Sequence, residues 1–202
     1  MITLDGVMQG LGTRDEDTRG GFDRGGWITP VFDSHAAEFL NEDFQRADAF
    51  LLGRRTYELF AASWGVMEDP TSNPVGEALN AKPKYLVSTT ITDPPWADTT
   101  VISDDVETAI RDLKAKPGRE LQVHGSGALL RWMLERDLVD ELNLLTVPVV
   151  LGKGTRLFPE TGPDLALDLV DSQITPKGVI IQVYRPAGKP EYADATMSNM
   201  EQ

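Results

Sequence analysis

An α/β fold, with a mostly parallel central sheet between two layers of helices and an antiparallel hairpin at its C-terminal end, is what this sequence predicts. Three observations carry it. Short apolar runs alternate with helical patterns through most of the chain, the order that lays parallel strands side by side with helices on both faces. Phe50-Leu51-Leu52 and Tyr85-Leu86-Val87 are unbroken apolar runs, as strands buried on both faces are. Pro176-Lys177-Gly178 separates two late strand-like stretches as a hairpin turn does, so that pair should be antiparallel.

Ile2, Leu4, Val7 and Met8 predict a short strand across residues 1–9 that starts abruptly at Met1, with a bulge or kink at Asp5-Gly6. Residues 10–30 are rich in Gly, Asp and Arg and lack apolar periodicity, which predicts a long loop of the lid or binding kind. Phe22, Trp27 and Ile28 within it either pin the loop to the core or wall a pocket for a flat heterocycle. Asp33 or Ser34 caps a helix running to about Phe44, with Ala36, Phe39, Leu40 and Phe44 as its inner stripe. Residues 47–53 form the next strand, and Arg54 to Phe60 a helix.

A two-proline loop and a short helix over 75–81 lead to a strand that stops at Ser88-Thr89-Thr90. After a strand at 99–103, Asp104 or Asp105 starts a helix whose Val106, Ala109, Ile110 and Leu113 fall on one face. A strand at 120–124 turns through Gly125-Ser126-Gly127 into a helix ending near Asp137. Residues 141–151 predict a long strand in which Pro148 implies an edge, an irregularity or a bend. Residues 165–174 and 179–184 form the hairpin, which gives one domain over 1–185 and a flexible polar tail over 186–202.

Hydrophobic residues make up 41% of the 202, enough for a core and too many for a disordered chain. The net charge of −13 argues against a large nucleic-acid footprint, yet a few arginines still suffice for a small anion. The absence of cysteine removes disulfides, thiolate catalysis and thiolate metal sites, and two distant histidines argue against zinc. With no long apolar segment and no signal peptide, no membrane role is expected and the reading is a cytoplasmic protein.

The chemistry concentrates at strand tips. Gly53-Arg54-Arg55-Thr56 places a guanidinium and a hydroxyl at the first turn of a helix, where unpaired N–H groups and the helix dipole favour an anion. Gly125-Ser126-Gly127, followed by Ala128 and Leu129, is the second such turn, and Ser88-Thr89-Thr90 is a third phosphate-friendly tip. We read the first two as halves of one dinucleotide phosphate clamp. The glycine turn is not a full dinucleotide fingerprint, since Leu130 stands at its third glycine position. Gly152-Lys153-Gly154-Thr155 lacks the first glycine of a P-loop, Val147 standing there, which argues against nucleotide hydrolysis. Ser126 beside His124 suggests a hydrolase only by proximity.

Taken together, Thr3-Leu4-Asp5-Gly6-Val7, Leu52-Gly53-Arg54-Arg55-Thr56-Tyr57-Glu58, Val87-Ser88-Thr89-Thr90, Val123-His124-Gly125-Ser126-Gly127, Val139-Asp140-Glu141-Leu142 and Pro148-Val149-Val150-Leu151-Gly152 resemble the dihydrofolate reductase superfamily. The resemblance is closest to the branch holding the C-terminal reductase domain of the bifunctional riboflavin-pathway deaminase–reductase. It implies a dihydrofolate reductase-like fold and an NADPH-dependent reductase of a small heterocyclic or ribosylaminopyrimidine-like substrate, working as a homodimer. The alternative is a nucleotide-binding module of the same fold without turnover.

On that resemblance Gly53, Arg54, Arg55 and Thr56 hold cofactor phosphates. Ser88, Thr89 and Thr90 face the adenosine side, and Gly125, Ser126, Gly127, Ala128 and Leu129 bring backbone N–H groups to the pyrophosphate. The family often joins two glycines by a cis peptide at that turn; Ser126 in the second place argues against one here. Asp5 and Glu38 are the catalytic candidates and Trp27 the substrate-side one. No metal is expected.

Overall fold

The computed structural model describes residues 1–194. Its strands form two four-stranded groups. The first is wholly parallel: β4 (Thr99–Ile102), β3 (Lys84–Val87), β2 (Ala49–Gly53) and β5 (Leu121–Gln122), in that order. The second runs β1 (Ile2–Thr3), β6 (Leu142–Val147), β8 (Ile180–Pro186) and β7 (Leu167–Ile174). Here β1 pairs parallel to β6, while β8 is antiparallel to both β6 and β7, so the C-terminal hairpin forms as expected. Four of the six strand pairings are parallel, and among the described residues no ladder joins the two sheets.

The unbroken apolar run in β2 serves two layers at once. Phe50 and Leu52 face a cluster with Phe44, Tyr57, Leu79, Leu86 and Trp96, supplied in part by α1 (Ser34–Arg46), α2 (Arg54–Ser63) and α3 (Pro74–Ala81). Leu51 faces the opposite cluster, with Ile110 from α4 (Val106–Ala115) and Leu129 and Met133 from α5 (Gly127–Leu134). A third cluster packs Val7, Phe22, Trp27 and Ile28 against Leu145, Val147 and Ile181 of the mixed sheet.

Several boundaries depart from the sequence pattern, each for a local reason. The first strand covers only Ile2–Thr3, because Gly6 turns the chain at φ +79° and Val7 keeps a single bridge to Arg156. β6 stops at Val147, before Pro148, which has no N–H for a ladder. α5 ends at Leu134 rather than near Asp137, and β5 keeps two of the five residues expected of it. Asp33 caps α1 as read, its Oδ1 accepting from Ala36 N at 3.0 Å. Of the expected tail, Pro186 ends β8, residues 187–194 form no helix or strand, and 195–202 lie outside the described residues.

Candidate functional site

Parallel pairing of β5 with β2 brings two strand-to-helix turns side by side. Gly53 ends β2 and starts α2; Gly125 and Ser126 start α5 with φ of +58° and +47°. A Cβ at Gly125 would lie 3.1 Å from the Thr56 hydroxyl, so close approach as well as the left-handed backbone calls for glycine there. The 125–126 peptide is trans.

Two reciprocal hydrogen bonds join the turns. Gly53 N donates to Ser126 Oγ at 3.0 Å, and Ser126 N donates to Thr56 Oγ1 at 2.8 Å. Both hydroxyls are therefore spent on assembling the site. Neither helix start receives a side-chain cap. The first-turn N–H groups of α2 (Arg54, Arg55, Thr56) and of α5 (Gly127, Ala128, Leu129) thus lack intrahelical acceptors at neighbouring positions, an arrangement whose donors and dipoles suit a diphosphate. Residues 53–56 and 125–129, separated by some seventy positions in the chain, therefore lie against one another.

The two arginines differ. Arg54 is paired along its own helix with Glu58 at 3.1 Å, an exposed i,i+4 contact. Arg55 reaches a cavity of about 310 Å³ shared with Gln9, Arg19, Lys153 and Thr155. The β2–β3 register sets Gly53 beside Val87, which puts Ser88 next to the α2 start. Ser88 Oγ is used locally, accepting from Thr90 N at 3.2 Å and Ile91 N at 3.1 Å, while Thr89 and Thr90 are exposed.

Asp5 sits apart as an anchor. Its carboxylate accepts from the Thr3 hydroxyl at 2.6 Å, from Leu151 N at 3.1 Å and from Gly152 N at 2.8 Å. The Thr3 hydroxyl, with the two backbone N–H groups, holds its pKa down at about 2. A carboxylate so held stays ionised and ties the first turn to the 151–156 loop. Glu38 is exposed on α1 and lines neither of the two cavities described. Trp27 is buried among Val7, Phe22 and Ile28, its indole N–H donating to Gln9 O at 2.8 Å, so it pins the 10–30 loop to the core.

His124 takes no part with Ser126. Its ring stacks on Phe44 at 3.8 Å between centroids, and Nε2 bonds to Gln122 Oε1 at 2.9 Å. Burial, reinforced by the Met1 ammonium, lowers its pKa to about 3, so it is neutral near pH 7. With Ser126 Oγ turned to Gly53 N, the two side chains have separate partners and the hydrolase pair does not form. No cluster of metal-ligating side chains occurs among the described residues.

Sequence reasoning missed Gln9. Its Oε1 accepts from Thr155 N and Oγ1 at 3.0 and 3.1 Å, and its Nε2 donates to Asp17 O and Arg19 O. This one buried amide fastens the glycine-rich loop to the Gly152–Thr155 turn, which brings Arg19 and Lys153 towards Arg55. The only signal in the sequence was the Gly-Lys-Gly-Thr run, which fails as a P-loop yet is half of this wall.

This geometry has relatives. The uncharacterized protein YyaP of Bacillus subtilis (strain 168) is 29% identical over 184 residues, covering 91% of this chain and 90% of its own. A crystal structure of a putative riboflavin biosynthesis protein from Shewanella sp. PV-4 superposes with a TM-score of 0.68 at 24% identity, covering 92% of this chain and 94% of that one. A pyrimidine reductase-like protein from Corynebacterium diphtheriae gives a TM-score of 0.58 at 16% identity over 92% and 88% of the two chains. At these identities the two structures speak for the shared fold. Residues 1–181 match the family described as the RibD C-terminal domain. The chain therefore belongs to the RibD C-terminal domain family, a reductase-like family whose members typically use a nicotinamide cofactor.

Proposed function

We propose that the protein is an NADPH-dependent reductase of a small heterocyclic or ribosylaminopyrimidine-like substrate, working in the cytoplasm as a homodimer. The observation that carries this reading is the crevice in which two uncapped helix starts, α2 and α5, are locked together through Ser126, Gly53 and Thr56. The residues present fit a dinucleotide: backbone donors on two sides, close approach at Gly125, and Arg55 free of the local pairing that engages Arg54. Bound there, the reduced nicotinamide supplies the hydride.

The residues of this chain then have distinct tasks. Arg54 to Thr56 and Gly127 to Leu129 would hold the diphosphate through their backbone N–H groups. Arg55 adds a forked donor. Thr89, exposed beside the α2 start, and Thr90, whose hydroxyl lies 3.4 Å from Ser88 Oγ, would meet the adenosine side. Asp5, ionised far below neutrality and engaged with Thr3, Leu151 and Gly152, anchors the first turn rather than donating a proton, so the proton accompanying hydride transfer would come from water.

Steady-state NADPH oxidation with dihydrofolate, the ribosylaminopyrimidine and simple carbonyls tests the proposal, alongside NADPH titration by tryptophan fluorescence. Turnover of at least one heterocycle is expected. A second reading, a non-catalytic nucleotide-binding module, is favoured by the same engagement of Asp5 and the exposure of Glu38, which leave no carboxylate in the crevice as a ready acid. Tight NADPH binding with no turnover on any substrate decides for the module. Absence of NADPH binding overturns both.

A further inference from the structure

The strand order sets β3 on one side of β2 and β5 on the other, so the start of α2 has a loop on each flank. Thr56 serves the β5 flank, its hydroxyl accepting from Ser126 N. The next residue, Tyr57, serves the β3 flank. Its hydroxyl accepts from Trp96 N at 3.0 Å, and the two rings lie 6.0 Å apart at 44°. Both side chains are buried. A phenylalanine would fill the same place in the core. A buried hydroxyl costs free energy unless it is bonded, and among the described residues the one bond of this hydroxyl goes to the loop. Placement of the loop, rather than packing of the core, accounts for a tyrosine here.

Residues 88–96 lie between β3 and β4, form no helix or strand, and are held at both ends. At the start, Ser88 N donates to Ile102 O at 3.1 Å, and Ser88 Oγ accepts from Thr90 N and Ile91 N. At the far end Pro94 and Pro95 bring no N–H, so Trp96 N is the first backbone donor after Asp93. Tyr57 takes it. The Trp96 carbonyl accepts from Thr99 Oγ1 at 2.7 Å, and its indole N–H donates to Asn80 Oδ1 at 2.9 Å. Thr89 and Thr90 are exposed between these two holds.

We propose that Tyr57 is a positioning residue for the adenosine half of the coenzyme, a role that rests on the dinucleotide site proposed above. Through its hydroxyl, α2 fixes the 88–96 loop relative to its own first-turn N–H groups. Thr89, Thr90 and the α2 start then present one preformed surface, and the ligand does not have to order the loop as it binds. Thr56 and Tyr57, neighbours in sequence, divide the work: one aligns the two diphosphate turns, the other the adenosine end.

Tyr57→Phe in the full chain tests this with two probes that displace NADPH in a fluorescence titration. Adenosine 2′-monophosphate reports on the adenosine end and inorganic pyrophosphate on the paired turns. Adenosine 2′-monophosphate should bind about tenfold more weakly than to the parent, and pyrophosphate within about twofold of it. Amide exchange at Trp96 should quicken by at least about tenfold, with that at Ser126 unchanged. Thr99→Val, which releases the Trp96 carbonyl, should weaken adenosine 2′-monophosphate in the same direction, and it carries the test if the phenylalanine variant does not fold. Equal loss of both probes, or loss of neither, overturns the proposal, because the hydroxyl then serves the fold alone. A parent that does not bind NADPH removes the dinucleotide site and this role with it, so the two failures are told apart.

Discussion

Asp5 and His124 are two side chains that the fold keeps in one protonation state, and each leaves a mark on stability. Asp5 has its pKa lowered from 3.8 to about 2, so its contribution is present above about pH 4 and is lost as pH falls towards 2. Asp5→Asn should destabilise the protein by about 1–3 kcal/mol at pH 7, and the gap from the parent should close through that window. His124 has its pKa lowered from 6.5 to about 3 by burial, so the unfolded chain takes up a proton first as pH falls. Stability should decline from about pH 6.5 towards 3, and His124→Phe, which keeps an aromatic on Phe44, should flatten that decline and leave the Asp5 limb intact. Thermal melts of the three proteins at stepped pH check both.

Arg55→Ala should weaken NADPH binding by about ten- to a hundredfold, the range for losing a charge-assisted hydrogen bond. Arg54→Ala should weaken it less, since its guanidinium is shared with Glu58. Both should melt within about 2 °C of the parent, being exposed. Normal affinity in both variants would remove the phosphate assignment. The sequence announced these residues through an arginine pair at a strand-to-helix turn. It could not announce which arginine is engaged, because that depends on the rotamer and on the turn below it.

At the scale of elements, the turn before α2 and the turn before α5 form one unit. Thr56→Val leaves Ser126 N without its acceptor and should cost about 1–3 kcal/mol, whereas Thr56→Ser should restore most of it. Loss of NADPH affinity in the valine variant, recovered in the serine variant, is the expected companion in a fluorescence titration.

The alternating strands and helices were legible because each carries its period within its own residues: the unbroken run at 50–52, the helical face of α4, the hairpin turn at 176–178. The tie between Gly53 and Ser126 was not, because it joins residues seventy-three apart and rests on a serine in the left-handed region. Gln9 was invisible for the same reason, its partners Thr155 and Arg19 lying on two different loops. Trp27 was legible as buried, but its indole partner, a backbone carbonyl, gave no signal.

At the scale of the molecule, the chain is acidic overall yet gathers Arg19, Arg55 and Lys153 around one small cavity. Arg19 is paired there with Asp17 and Lys153 with Asp23, so Arg55 is the cation expected to attract an anionic ligand, and the association rate of NADPH should fall as salt is raised. The outer strand β7 exposes Leu169, Val170 and Ile174 at 55%, 48% and 75%, an unshielded apolar edge. Light scattering is expected to give the mass of a dimer, and Ile174→Asp to shift it towards the monomer; a monomeric parent would remove the expectation.

The hydroxyl ties of Thr56 and Ser126 also set an order of events. They close loops of seventy and seventy-three residues, contacts expected to form late because so much chain must first be brought together. On the proposed function, a nascent chain still short of residue 126 should have no seat for a dinucleotide. NADPH should therefore leave the early steps of folding untouched and act chiefly by slowing the opening of the finished molecule.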